Sequence, residues 1–163
     1  MAYKEFENRR ALYIASAINN VEIPNICAAV VKGNVDPLST ADRLYDPAVN
    51  FLESGIEVGD IAYCYQSGWY SNIVAVTSTY VDIENGDNIF VDGSLYFISK
   101  KGSNRGCMLY VGAGGDGTNT YVSPAGDPEE YVLFSSVQAG SVLPMQVVRI
   151  SKASDSSSFV ALW

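Results

Sequence analysis

Histidine is absent from this chain of 163 residues. Histidine is the commonest acid–base group in catalysis and the commonest metal ligand, so its absence excludes Ser–His and Cys–His catalytic pairs and most zinc sites. The sequence also has no GxSxG nucleophile elbow. We therefore expect a protein that is not an enzyme, with no catalytic residues and no cofactor.

Cysteine is scarce, and the three cysteines Cys27, Cys64 and Cys107 are far apart, with no CxxC spacing. Clustered ligands are the usual sign of a structural zinc site, so we expect no bound metal. Each cysteine has apolar neighbours in the sequence. This pattern predicts small, buried, reduced side chains.

Charged residues make up 17% of the chain, against roughly 25% in typical globular domains. No Lys or Arg stands between Arg43 and Lys100. That interval contains the acidic residues Asp46, Glu53, Glu57, Asp60, Asp82, Glu84, Asp87 and Asp92. With a net charge of −8, such a surface repels phosphate, so we expect neither nucleic acid nor an anionic membrane as a partner.

Long apolar runs are also missing. None approaches the roughly 20 residues that span a bilayer, and the first ten residues, MAYKEFENRR, are polar and charged. We expect a protein made and assembled in the cytoplasm of a host cell. Because 48% of the residues are hydrophobic, the chain is able to bury a core as one domain or as two small ones.

Short strands separated by turn residues dominate the pattern. Only residues 5–20 suit a helix, since apolar residues recur there at steps of three and four. We predict a mainly β protein with one or two small antiparallel barrel or sandwich lobes and an N-terminal helical or extended arm. The expected divisions are an arm and linker over 1–43 with a possible short helix and strand, a β module over 44–101 and a C-terminal β module over 102–163.

Aromatic residues are abundant, with eleven Tyr, six Phe and two Trp. Trp69 and Tyr70 directly follow a glycine turn, and Phe159 and Trp163 lie near the end of the chain. Exposed aromatic side chains bury a large area with few rotors to freeze, so these four are the candidate interface residues. The alternative is that they plug the ends of a barrel. A further alternative is that Trp69 and Tyr70 stack on a sugar.

Three segments of the last third, LYVGAGGD, AGSVLPMQVVRI and VALW, follow one another in the sequence. In these segments and their order, the chain resembles small virion proteins of tailed bacteriophages and gene-transfer agents, of the head-decoration, cement or spike-base type. A weaker resemblance covers residues 51–61 with the strands after them, which are similar to a "GV.VGD.V" module of phage structural proteins.

The resemblance implies a virion structural protein on the capsid surface, as a decoration or cement protein or as the base of a head spike. Its partners would be the major capsid protein or other virion proteins, together with further copies of itself. Alternatives are an adaptor at the neck, tail or fibre, or a carbohydrate-binding module for host recognition. The resemblance carries no catalytic residues to this chain.

Overall fold

The computed structural model describes residues 11–15, 21–84, 90–113, 118–151, 154 and 158–163. The described strands, in chain order, are β1 (Ala11–Ile14), β2 (Ala29–Asn34), β3 (Arg43–Tyr45), β4 (Ile61–Cys64), β5 (Trp69–Val76), β6 (Tyr80–Ile83), β7 (Leu95–Ser99), β8 (Met108–Ala113), β9 (Thr118–Pro124), β10 (Val132–Val137), β11 (Val147–Ile150) and β12 (Ser158–Leu162). One short 3-10 helix, Ile26–Ala28, precedes β2. The predicted mainly β class, with several antiparallel sheets, is confirmed.

The chain forms two compact units. Unit 1 combines Met1–Ile23 with Asn104–Trp163, and unit 2 is the intervening Pro24–Ser103. Unit 2 is therefore inserted, in sequence, between the two parts of unit 1.

Unit 2 is one six-stranded antiparallel sheet in the order β2-β7-β4-β5-β6-β3. A backbone hydrogen bond from Asp36 N–H to the Tyr45 carbonyl, 3.3 Å long, links the segment after β2 to β3 at the opposite edge. The sheet therefore curls towards closure, which is how small β domains reduce exposed edges. The inner strands β4 and, after its exposed first residue Leu95, β7 are buried on both faces, as their near-continuous apolar sequences suggest.

One buried polar pair lies inside unit 2. The Tyr96 hydroxyl donates a hydrogen bond of 2.8 Å to Oδ2 of Asp46, and both residues are buried. Gly33 on β2 faces this pair: a Cβ there would lie 2.5 Å from Asp46 Oδ2 and 2.8 Å from the Tyr96 ring. Only glycine leaves room for the pair at this position.

Unit 1 contains two three-stranded antiparallel sheets, β1-β12-β8 and β10-β9-β11. The start of β11 joins them, because its first residue, Val147, exchanges two backbone hydrogen bonds of 2.8 and 2.9 Å with Cys107, the residue before β8. The core is formed by fully buried side chains from five of these strands: Leu12, Ile14, Leu109, Val111, Val122, Ile150, Phe159 and Ala161.

The N-terminal segment was expected to be helical or extended, and its described part is extended. Ala11–Ile14 lies within residues 5–20, whose pattern suited a helix, but forms strand β1, which pairs antiparallel with β12; residues 5–10 and 16–20 fall outside the described residues. Residues 24–43 of the expected arm and linker belong to unit 2 and supply β2 and β3. The expected boundary at residues 101 and 102 lies close to the observed one between Ser103 and Asn104.

Candidate interaction surfaces

Trp69 and Tyr70 begin β5, directly after the turn of the β4–β5 hairpin. Trp69 pairs with Cys64, so the turn is the four residues between them, and Gly68 adopts a positive φ of 70°. Successive side chains in a strand point to opposite faces. Trp69 is partly exposed, whereas Tyr70 is only 2% exposed. The two rings therefore do not share a surface, and Tyr70 is a core residue instead of a contact residue.

Strand β12 lies in the middle of its sheet. Buried and partly exposed side chains alternate along it, and this alternation decides the role of Phe159. Phe159 and Ala161 are fully buried, while Val160 and Leu162 are partly exposed. A register irregularity between Ser158 and Phe159 accompanies this arrangement, and a shift of one residue exchanges the two faces of a strand. Phe159 is therefore a core residue of unit 1.

Trp163 follows β12 and is partly exposed. It borders a cavity of about 280 Å³ in unit 1, which is also lined by Gly106, Met108, Gln146 and Leu162. Its indole nitrogen is buried and has no hydrogen-bond partner among the described residues. An indole N–H normally finds a partner when it is buried. Of the four predicted contact residues, Trp163 and Trp69 keep exposed surface.

The three C-terminal segments on which the resemblance rests are neighbours in space. Leu109–Gly112 lies in β8, which pairs with β12 on one side. On its other side the segment before β11 runs along it, with hydrogen bonds from Val111 N–H to the Ser141 carbonyl (2.8 Å) and from Leu143 N–H to the Leu109 carbonyl (2.9 Å). All three segments thus belong to one unit.

Comparison with known proteins gives no match. No protein-family model, curated protein or solved structure is significantly similar to the chain.

The second resembling segment has a structural role in unit 2. The Asp60 side chain is fully buried, and it accepts hydrogen bonds from the Glu57 and Lys101 backbone N–H groups (2.9 and 3.2 Å) and from Lys100 Nζ (2.9 Å). Gly59 beside it has a φ of 95°. Burial lowers the pKa of Lys100, but hydrogen bonds to Asp60 and Glu57 outweigh this and raise it. Gly59 and Asp60 therefore stabilise a turn, and this structural role accounts for both residues without a bound ligand.

The acidic residues near β6 surround an open cleft of about 490 Å³. Its charged lining includes Arg43, which forms two hydrogen bonds with Asp82 (2.6 and 3.0 Å) and stacks 3.7 Å above the Tyr80 ring. Asp42 and Glu84 complete the acidic lining. Within the described ranges, no group of three or more acidic or cysteine side chains could hold a metal ion.

The cysteines differ in exposure, which corrects one expectation. Cys64 and Cys107 are buried as predicted, but Cys27 is exposed in the 3-10 helix. Burial raises the pKa of the Cys107 thiol to about 12, although a hydrogen bond from Asn104 opposes the shift. No helix in the described part of the chain is long and apolar enough to cross a membrane.

One apolar surface that was not predicted lies at the start of β10. Tyr131, Val132 and Leu133 are consecutive and 36%, 37% and 47% exposed. These residues are not among the four contact residues predicted from the sequence. The signal was present in the sequence, because this apolar run directly follows the exposed acidic pair Glu129 and Glu130.

Proposed function

We propose that this protein is a structural component of a tailed-phage virion or a related particle. It acts by protein–protein contacts alone, as a capsid decoration or cement protein or as the base of a head spike. The observation that carries the proposal is the likeness of three C-terminal segments to such proteins, together with their packing side by side in unit 1. Sequence segments that pack together in one compact unit are expected of a motif that belongs to one folded module.

The surface is consistent with this role. Large apolar side chains are exposed in both units, among them Leu38 at 68% and Leu52 at 58% in unit 2 and Tyr13 at 50% and Leu133 at 47% in unit 1. Contact surfaces are depleted of charge at their centres and rich in aromatic residues. A low charge content with exposed apolar side chains therefore favours a protein that covers its surface with neighbours.

Trp163 is the best single candidate for a contact with another virion protein. It combines partial exposure, an adjoining cavity and a buried N–H without a partner in the described residues. A partner that fills the cavity with an apolar group would cover the exposed part of the Trp163 ring. The alternative of a sugar platform loses its basis, because Tyr70 is buried and faces away from Trp69.

Quantitative mass spectrometry of purified particles tests the proposal. On the order of hundreds of copies per particle indicates decoration of the shell, whereas about a dozen indicates a vertex, neck or tail position. Absence of the protein from washed, intact particles would refute a virion role. The Trp163→Ala variant then separates the contact from the fold: we expect lost retention on particles with little change in thermal unfolding. The control is Leu38→Ala, an exposed site in the other unit.

A further inference from the structure

The outer edge of β10 is open and apolar. β10 is the terminal strand of the sheet β10-β9-β11, and no described strand or isolated bridge pairs with its outer side. Side chains on both faces of its first residues are exposed, since Val132 and Leu133 point in opposite directions and both are more than a third exposed. An unpaired row of N–H and C=O groups flanked by apolar side chains is a template for another strand.

The other sheet edges are shorter, charged or occupied. β1 has four residues, and β2, which is as long as β10, carries Lys32. The outer side of β8 is taken by the segment before β11. β3 has only three residues and begins with Arg43, which is paired with Asp82. The outer side of β11 takes isolated bridges at Val147 and Arg149. β10 has no charged residue and no proline along Val132–Val137, so the usual devices that block strand addition are missing from its first half.

A bulge limits the open part of this edge. The pairing of β10 with β9 is regular from Val132 to Phe134 and shifts register before Val137, and Ser136 there has a φ of 56°. A left-handed residue in a strand turns the edge away from a straight partner. The flat part available for pairing is therefore Tyr131–Phe134 with the residue that follows.

We propose that β10 of a second copy of this chain adds to this edge in antiparallel orientation, joining two copies about a twofold axis. The proposal deepens the proposed function, on which its biological setting rests. The outer edge of β10 would be the surface through which copies of this particle component associate. A twofold pairing uses the same patch on both copies, so a single edge strand suffices.

The charges at the two ends of β10 favour an antiparallel orientation of the second copy. The acidic residues Asp127, Glu129 and Glu130 stand before the start of β10, and among the described residues only Arg149 forms an ion pair with them, 3.5 Å from Glu129. Residues 138–142, beyond the other end, carry no charge. An antiparallel copy places each acidic end beside the partner's uncharged end. A parallel copy would set the carboxylates side by side, which is unfavourable.

The pairing is expected to be weak for an isolated pair. The flat part of the edge is five residues long and spans about 17 Å, so the contact is small beside the 1,200 Å² or so of a stable interface. We expect a dissociation constant on the order of 10–100 µM for the free protein. On a particle, neighbouring copies held at high local concentration would pair much more completely.

Sedimentation velocity of the full chain, from about 1 to 500 µM, measures this equilibrium. The test variant is Leu133→Glu, and the matched control is Leu52→Glu, which introduces the same charge at a comparably exposed site in unit 2. We expect Leu133→Glu to weaken dimerisation by about tenfold or more and the control to leave it within about twofold, because a buried carboxylate opposes only the paired edge. Far-UV circular dichroism and thermal unfolding verify that both variants are folded.

Disulfide cross-linking tests the orientation. In a Cys27→Ser background, which removes the exposed native thiol, single cysteines replace Val132, Leu133, Phe134 and Ser135 in turn. Residues facing each other across strands have Cα atoms about 4.5–5.5 Å apart, within the range for a disulfide. Antiparallel pairing predicts one position of strongest cross-linking with weaker neighbours on either side.

A chain that stays monomeric throughout, or that cross-links no better at these positions than at Leu52→Cys, overturns the proposal. Equal cross-linking at all four positions overturns the antiparallel orientation. The experiment uses the purified chain alone, so its failure leaves the particle role to be decided by mass spectrometry. Absence from particles, in turn, would not affect a dimer measured in solution.

Discussion

Replacing Tyr96 by phenylalanine removes a single oxygen atom from the interior of unit 2. That oxygen donates a hydrogen bond of 2.8 Å to Asp46 Oδ2, and the two residues are only 1% and 6% exposed. The other carboxylate oxygen keeps its hydrogen bond from the Ala48 N–H, at 2.9 Å. The variant therefore leaves one buried carboxylate oxygen without its donor and the rest of the site intact.

The expected cost is about 2–3 kcal/mol of the free energy of unfolding of unit 2, the range for hydrogen bonds to charged groups when the acceptor stays buried. The phenylalanine ring still fills the site, so no large cavity adds to this. With a denaturant slope of about 1 kcal/mol/M for a domain of this size, the urea midpoint should fall by about 2–3 M.

Tryptophan fluorescence is a suitable assay, because the two tryptophans lie one in each unit, Trp69 in unit 2 and Trp163 in unit 1. In a Trp163→Phe background the signal reports unit 2 alone. The control is Tyr45→Phe, whose lost hydroxyl makes no hydrogen bond within the described residues; its expected effect is below about 0.5 kcal/mol. Equal effects of Tyr96→Phe and Tyr45→Phe would refute the reasoning.

Three further predictions rest on the burial of particular side chains. Burial and a neighbouring carboxylate raise the pKa of Tyr96 above its ordinary 10.0, so the unfolded chain ionises first and the stability of unit 2 should fall as the pH rises above about 10; Tyr96→Phe should reduce that slope in urea titrations. A thiol reagent should label Cys27 in the folded protein and reach Cys64 and Cys107 only in denaturant, as peptide mapping would show; labelling of all three at once would contradict their burial. Phe159→Ala should cost unit 1 about 3–5 kcal/mol in denaturant unfolding, and a neutral effect would mean that Phe159 is not core.

The strands of both units could largely be predicted from turn residues and short apolar runs. The hairpin at Ser67 and Gly68 shows the limit of that approach: the turn was recognised, but the register was not, because its loop has four residues and β5 begins at Trp69. Once Trp69 pairs with Cys64, alternation alone sends Tyr70 to the other face. A register known from sequence would have separated the two aromatics.

The N-terminal segment shows a different limit. The residues of Ala11–Ile14 suit either a helix turn or a short strand, and periodicity over so short a run does not distinguish them. Pairing with β12, nearly the whole chain away, decides the outcome. The same distance hid the two-part composition of unit 1. Long-range pairing of this kind leaves no local signal in a single sequence.

The two-part unit 1 also sets an order of folding during synthesis. All of Pro24–Ser103 is continuous, so unit 2 has every strand of its sheet as soon as Ser103 has left the ribosome. β1 is made earlier but must wait for β12, and the loop closed by their pairing contains the whole of unit 2. Closing a loop is slower when it is longer, but a folded insert shortens the flexible part. Early folding of unit 2 would thus shorten the flexible chain between the two parts of unit 1 and favour their pairing. Slow folding of unit 2 should therefore delay the folding of unit 1 as well.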